Sequence, residues 1–354
     1  MRNNFDLLRL VAALMVVVTH CYELSSNLGI EPLYFISGGI LRLSTIGLYI
    51  FYFISGFLVT KSFERTKTIT HFIYKRARRI LPALIVAVII TALIIGPLFT
   101  TLPLLDYFKN ANTWKYFITA TGFFIQYQLP GVFNDTFHFD HGVNGSLWSI
   151  ALELRLYLAL IIICWFSQKI GKWFFFIPLF GSLIFSIFLK LDVFNLMPLF
   201  DELHSRLVFT FFIGSFLTTY PISLTPPTHS PAQRSDLSLS KYLLIKWPIL
   251  LIFFCLYLLS FTYFQLARII VEPLFFSYLS LYIAFSTKPQ KLKIDISYGI
   301  YVYSFPITQC IIYTFKPQNP LMIICGVLFI VIPLSILSAT LIEKRAKTQS
   351  LMVT

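Results

Sequence analysis

Charge is what this chain has least of. Only 12% of its 354 residues are Asp, Glu, Lys or Arg, about half of the roughly 25% usual in soluble chains. Acidic residues are the scarcer kind, 15 against 28 basic ones. Hydrophobic residues make up 57%, and mean hydropathy is +0.78. A soluble protein this apolar cannot cover its own surface, which excludes an ordinary cytosolic enzyme, a disordered chain and a secreted disulfide scaffold. Cysteine is sparse as well: Cys21, Cys164, Cys255, Cys310 and Cys325, with no CxxC spacing. All lie in or beside apolar runs and read as small hydrophobes, not as ligands or disulfide partners. There is no P-loop and no nucleophilic serine motif, and the absence of an internal repeat weakens an inverted-repeat transporter. What remains is an all-α polytopic membrane protein.

Apolar runs near residues 6–24, 40–61, 80–99, 147–166, 173–189, 204–220, 247–265, 268–286, 297–315 and 321–342 approach the roughly 20 residues a helix needs to cross hydrocarbon. The first resembles a signal peptide, but Asp6 and Arg9 interrupt it and no small-residue cleavage site follows. It reads as an uncleaved span. The segment 114–129 is shorter and more polar (Thr119, Thr121, Gln126, Gln128). Loop charge decides its status. The stretch 61–79 carries seven Lys and Arg, whereas 126–147 carries none and has Asp135 and Asp140. Lys169 and Lys172, Arg234 to Lys246, Lys288 to Lys293, and Lys344 to Lys347 continue the alternation. Positive-inside bias therefore predicts about ten crossings plus one short re-entrant or interfacial segment, with both termini cytoplasmic. The net charge of +13 is that same bias, so no nucleic acid is expected. Residues 1–345 read as one membrane domain and 346–354 as a cytoplasmic tail. The stretch 220–246, with Pro226, Pro227 and Pro231, reads as a partly disordered cytoplasmic loop.

Ionisable residues inside a span are costly, so they mark function. The first span has two, Arg9 and His20. Eleven steps of about 100° bring both onto one helical stripe, about 16 Å apart. A snorkelling Arg with an interfacial His is the plain alternative. Asp6 can pair with Arg9, and Glu23 can orient His20, each at i,i+3. His20 is the best candidate general base, because a neutral imidazole accepts a hydroxyl proton near pH 7. The cluster Lys75, Arg76, Arg78, Arg79 precedes Pro82, which suits the first turn of the third span. Positive-inside bias alone explains such a cluster. Yet Arg76 and Arg79 share a face, and with a helix N-terminus they can hold phosphates of a donor such as coenzyme A. Glu153 and Arg155 fall within the fourth span and should point inward or pair. His138, Asp140 and His141 form a weaker cluster; without a third strong ligand nearby, no metal is expected.

Together these stretches resemble the acyltransferase-3 family of integral membrane acyltransferases. The residues that carry the resemblance are Arg9 and His20 in FDLLRLVAALMVVVTH, GLYIFYFISGFLVTKS at 47–62, Arg76-x-x-Arg79 before ILPAL, and NGSLWSIALELRLYL at 144–158. SYGIYVYSFPI at 297–307 is a looser match, with Ser304 where many members carry a histidine. The resemblance implies a bacterial inner-membrane O-acyltransferase. Its donor would be cytosolic acyl-CoA, usually acetyl-CoA. Its acceptor would be a sugar hydroxyl of a lipid-linked or surface polysaccharide such as lipopolysaccharide O-antigen. Many relatives carry a fused SGNH-type domain. This chain would instead deliver the acyl group directly or through a separate extracytoplasmic partner. His20 carries over as the essential histidine, Arg9 as its basic partner, and Arg76 and Arg79 as the cytoplasmic arginines.

The mechanism expected from sequence docks coenzyme A at Arg76 and Arg79 and threads its pantetheine arm toward His20. His20 either deprotonates the acceptor hydroxyl or briefly carries the acyl group. Glu153 or Glu23 orients the imidazole, and Arg9 stabilises the stripe or the thioester oxygen. A lipid-linked glycan flippase or exporter and a glycan polymerase are the competing classes.

Overall fold

A computed structural model describes residues 3–25, 30–134, 142–191, 202–220, 246–262, 266–290, 292–317 and 319–343. They form helices α1 (Phe5–Glu23), α2 (Pro32–Ile36), α3 (Leu43–Glu64), α4 (Ile69–Ile90), α5 (Gly96–Phe99), α6 (Leu104–Lys109) and α7 (Ala111–Lys115). Then follow α8 (Trp148–Ile170), α9 (Phe176–Lys190), α10 (Glu202–Thr219), α11 (Trp247–Thr262), α12 (Arg268–Ser286), α13 (Ser297–Phe315) and α14 (Pro320–Leu337). The protein is an all-α polytopic membrane protein. Every one of the apolar runs is helical, but seven helices among the described residues are both long and apolar enough to cross a bilayer. Of the remainder, α11 is shorter, while α10 and α13 have the length and are more polar.

The expected start of the third span needs correction. The third span does not begin near residue 80. Its helix starts at Ile69, where Thr68 caps it by accepting a hydrogen bond from the His71 N–H, as an N-cap threonine does. Pro82 is therefore inside the helix. Arg76 and Arg79 lie about two turns past its start, where the helix terminus no longer contributes to anion binding. The segment 114–129 makes no crossing helix: α7 ends at Lys115, a 3₁₀ turn covers Tyr116–Thr121, and Gly122 closes it at φ 75°. The cluster His138, Asp140 and His141, the loop residues 221–245 and the tail 346–354 lie outside the described residues.

The chain divides into two compact units. The first comprises residues 1–9, 48–67 and 156–292. There α3 and α10 touch backbone to backbone. A Cβ on Gly56 would sit 2.0 Å from the Phe211 carbonyl oxygen, and one on Gly214 2.4 Å from that of Phe53. This close approach is the reason for glycine in the ISG stretch. Gly56→Ala must push the helices apart, at a cost of about 1–3 kcal/mol. A lower thermal midpoint of the detergent-solubilised protein checks this, and an unchanged midpoint contradicts it. Beside the contact, Tyr49 stacks on Phe276 with ring centroids 5.3 Å apart.

The second unit comprises residues 10–47, 68–155 and 293–354. Here Gly47 brings α3 onto α1, since a Cβ would lie 2.7 Å from the Ala12 carbonyl oxygen. Helix α4 widens to a π turn over Thr91–Ile95 before α5. The carbonyl of Ala92 in that turn accepts from the Tyr107 hydroxyl at 2.8 Å, which satisfies a backbone group that the wide turn misaligns. Burial pushes the Tyr107 hydroxyl up to about 12, so it remains a donor across the physiological range.

Candidate active site

Helix α13 is the post on which the sequence motifs of the second unit meet. Near its start, the Tyr298 hydroxyl donates to the Ile80 carbonyl of α4 at 2.9 Å. One turn on, the buried Tyr301 hydroxyl donates to the Ser146 carbonyl at 3.0 Å and shares a hydrogen bond with Ser149 Oγ. Asn144 Nδ2 donates to the Val302 carbonyl at 3.1 Å and Ser146 Oγ to Asn144 Oδ1 at 2.8 Å. The polar residues of NGSLWS thus seat the start of α8 on α13. Glu153 lies one turn beyond Ser149 on the same face of α8, near enough to Tyr301 for their charges to interact. Another turn along α13, the His20 ring meets Phe305 edge to face, with centroids 5.0 Å apart. Cys21 contacts the Thr308 hydroxyl.

His20 is turned into the helical packing, its side chain 12% exposed. Its Nδ1 is buried and lies 3.5 Å from Glu23 Oε2. That is ion-pair range, slightly longer than a good hydrogen bond. Glu23 Oε1 receives Arg42 Nη1 at 2.7 Å. Arg9 pairs with Asp6 at 3.0 Å within the first unit, as the i,i+3 spacing predicts. Arg76 and Arg79 are half-buried on one face of α4, with Arg76 over the Phe72 ring at 6.0 Å. Helical rise gives the spacing. Arg76 precedes Ile80 by about 6 Å, and Tyr298 precedes Phe305 by about 10 Å. By helical rise the imidazole therefore stands about 16 Å beyond Arg76 and about 12 Å beyond Arg79 along α4 and α13, which run side by side in the same direction. Arg155 departs from expectation. It is exposed rather than inward, and it donates to the Phe123 carbonyl at 2.9 Å, pinning the turn after the 3₁₀ segment.

Several polar groups escaped sequence reasoning. Arg42 is one. Glu31 is another: 4% exposed, it accepts from Thr19 Oγ1 and the Leu43 N–H, both at 2.7 Å. In the first unit, Arg206 donates to Glu272 at 2.8 Å, and Arg268 approaches the same carboxylate at 3.2 Å. Glu202 joins Arg206 at 3.8 Å and Lys190 at 3.1 Å. A charge inside each apolar run was the available signal, but the partners are far apart in sequence. The first unit also holds an apolar cleft of about 540 Å³ between α9, α10, α11 and α12; it includes none of the candidate site residues.

Comparison with known proteins adds three findings. A model of the acyltransferase-3 family, described as an acyltransferase domain, matches residues 2–340. The chain is 33% identical over 353 residues to a protein of Shigella phage Sf6 named O-acetyl transferase, covering 98% of this chain and 97% of that one. It is 37% identical over 169 residues to nodulation protein 10 of Rhizobium leguminosarum bv. viciae, covering 45% and 43%. No solved structure matches. The family model spans nearly every residue that carries a motif on α1, α4, α8 and α13, and the chain belongs to the acyltransferase-3 family: it is an integral membrane O-acyltransferase.

Proposed function

We propose that this enzyme moves an acetyl group from cytosolic acetyl-CoA to a sugar hydroxyl of a surface polysaccharide, with lipopolysaccharide O-antigen the favoured acceptor. The name of the full-length phage relative supports acetyl as the group transferred. In this reading the chain makes ten crossings of a bacterial inner membrane with both termini cytoplasmic. Residues 1–345 act as one catalytic membrane domain. Arg76 and Arg79 then stand at the cytoplasmic end of α4, and His20 stands toward the opposite leaflet. The donor is on one side of a slab about 30 Å thick and the acceptor is on the other. The protein spans that gap by letting the donor reach partway in.

The observation that carries this reading is the placement of His20 on α13. The imidazole is sheltered, has a carboxylate at Nδ1, and shares its post with the helix that bears the two arginines. Arg76 and Arg79 hold the donor's phosphates by guanidinium contacts alone, without help from a helix terminus. The pantetheine arm follows α13 toward Phe305. His20 takes the proton from the acceptor hydroxyl as its oxygen attacks the thioester carbonyl. The C–S bond breaks, and the departing thiolate recovers that proton from the imidazolium. Glu153 completes the polar wall beside Tyr301, and Arg9, paired with Asp6, steadies the opposite end of the α1 stripe.

Replacing both Arg76 and Arg79 with alanine should raise KM for acetyl-CoA about a hundredfold or more, since each charge-assisted phosphate contact contributes about 1.5–3 kcal/mol. The turnover number at saturation should change far less. Initial rates of labelled acetyl transfer across a range of acetyl-CoA concentrations test this. An unchanged KM contradicts the assignment.

A further inference from the structure

The geometry points to a positioning residue that the motifs do not contain: we infer that Arg42 acts through Glu23 to fix the His20 ring, leaving Nε2 as the atom that takes the proton. This inference rests on the acyltransferase reading above and deepens it.

The argument starts with the ring. Nδ1 of His20 is buried, so the remaining exposure of the side chain belongs to the rest of the ring. A carboxylate at Nδ1 favours the tautomer that carries its hydrogen there. The lone pair is then on Nε2. A carboxylate on the last turn of a helix can swing, however, and Glu23 is the last residue of α1. Arg42 restrains it at 2.7 Å.

The Arg42 side chain is 45% exposed, and it is held by one ring and by the fixed backbone that follows it. Its guanidinium lies 4.6 Å over the Tyr34 ring, an attractive cation–π distance. Its neighbour Leu43 gives its N–H to Glu31. Glu31 also binds the hydroxyl of Thr19, which precedes His20, and that same hydroxyl accepts the Ser44 N–H at 2.8 Å. The start of α3 and the end of α1 are therefore bolted together beside the Arg42–Glu23–His20 line.

Among the described residues, four charged groups stand around this end of the second unit. Glu23 and Arg42 face each other and the imidazole, Glu31 is spent on Thr19 and Leu43, and Glu153 is beside Tyr301. From α13 the ring meets the hydrocarbon edge of Phe305. A guanidinium matches both carboxylate geometry and an aromatic face, which an ammonium does not do equally well.

Membrane vesicles carrying the full chain, labelled acetyl-CoA and O-antigen polysaccharide as the acceptor probe provide the test. Arg42→Gln should lower kcat about ten- to a hundredfold, the range seen when an outer partner of a functional histidine is lost, with KM for acetyl-CoA nearly unchanged. The acid limb of its pH–rate profile should move to higher pH, because an uncompensated Glu23 holds a proton on the imidazole. Glu23→Gln should move that limb the other way. Arg42→Lys, which keeps the charge, should leave the limb in place and recover part of the rate. It also serves as the informative variant if Arg42→Gln fails to accumulate, because a Lys variant with a displaced limb contradicts the inference. So does a limb unmoved in Arg42→Gln, or a loss confined to KM. Wild-type vesicles that transfer no label would contradict the acyltransferase chemistry itself, a result distinct from any of these.

Discussion

His20→Ala lowers acetyl transfer by about 10²- to 10⁴-fold, the usual worth of a positioned general base, while the protein still inserts and accumulates. The reason for expecting normal folding is local. The His20 ring meets Phe305 and Glu23, whereas α1 is held to α3 by the Gly47–Ala12 approach and by Thr19 and Glu31. Removing the ring leaves those intact. His20→Gln should be nearly as inactive, since an amide fills the space without accepting the proton. Rates on labelled acetyl-CoA, normalised to the amount of protein in the membrane, check both variants. A His20→Ala protein at wild-type abundance with wild-type rate would remove the base from the mechanism.

Glu272→Leu should produce the largest loss of stability. Glu272 is 3% exposed and receives two guanidinium groups, from Arg206 and Arg268. Breaking a buried pair by removing one partner costs about 3–5 kcal/mol, because the charge left behind has neither water nor a counter-ion. Arg206 is itself 7% exposed and would lose its partner at 2.8 Å, while Glu202 stands farther off at 3.8 Å. A surface pair would be screened and contribute little; this one is enclosed by α3, α10 and α12. Arg206→Met combined with Glu272→Leu should be less damaging than Glu272→Leu alone, since one of the stranded charges is gone. Unfolding of the detergent-solubilised variants in increasing SDS, followed by helical circular dichroism, measures the order. Equal stability for Glu272→Leu and wild type would show that the network does not hold the first unit together.

The parts of this protein that follow from hydrophobicity were legible in its sequence. Each apolar run is a helix, because an apolar stretch of that length in lipid must satisfy its backbone internally. The amphipathic start of α4 was not legible that way. Residues 69–79 are helical through the Thr68 cap and not through an apolar run, so the basic cluster read as a loop and Pro82 as a first-turn residue. The site was half legible. Arg9, His20, Glu23 and Asp6 are neighbours in sequence, and helical periodicity alone pairs them. The role of α13 was hidden, since its motif was the loosest of the set and its partners come from α1, α4 and α8. Arg42 and Glu31 were hidden for a related reason. Glu31 lies outside every apolar run and Arg42 at the edge of one, and their meaning depends on contacts with α1 and α3. Arg206 and Glu272 each interrupt an apolar run, yet 66 residues separate them, and only packing brings them to one point.

The central claim is that the chain attaches an acetyl group and that His20 is the base that does it. Mass spectrometry of surface polysaccharide from bacterial cells expressing the wild type, the His20→Ala variant or neither tests both halves at once. The account predicts repeat units heavier by one acetyl group with the wild type alone. Identical masses in all three samples, a change in chain length without added mass, or full acetylation by a stably inserted His20→Ala protein would contradict it.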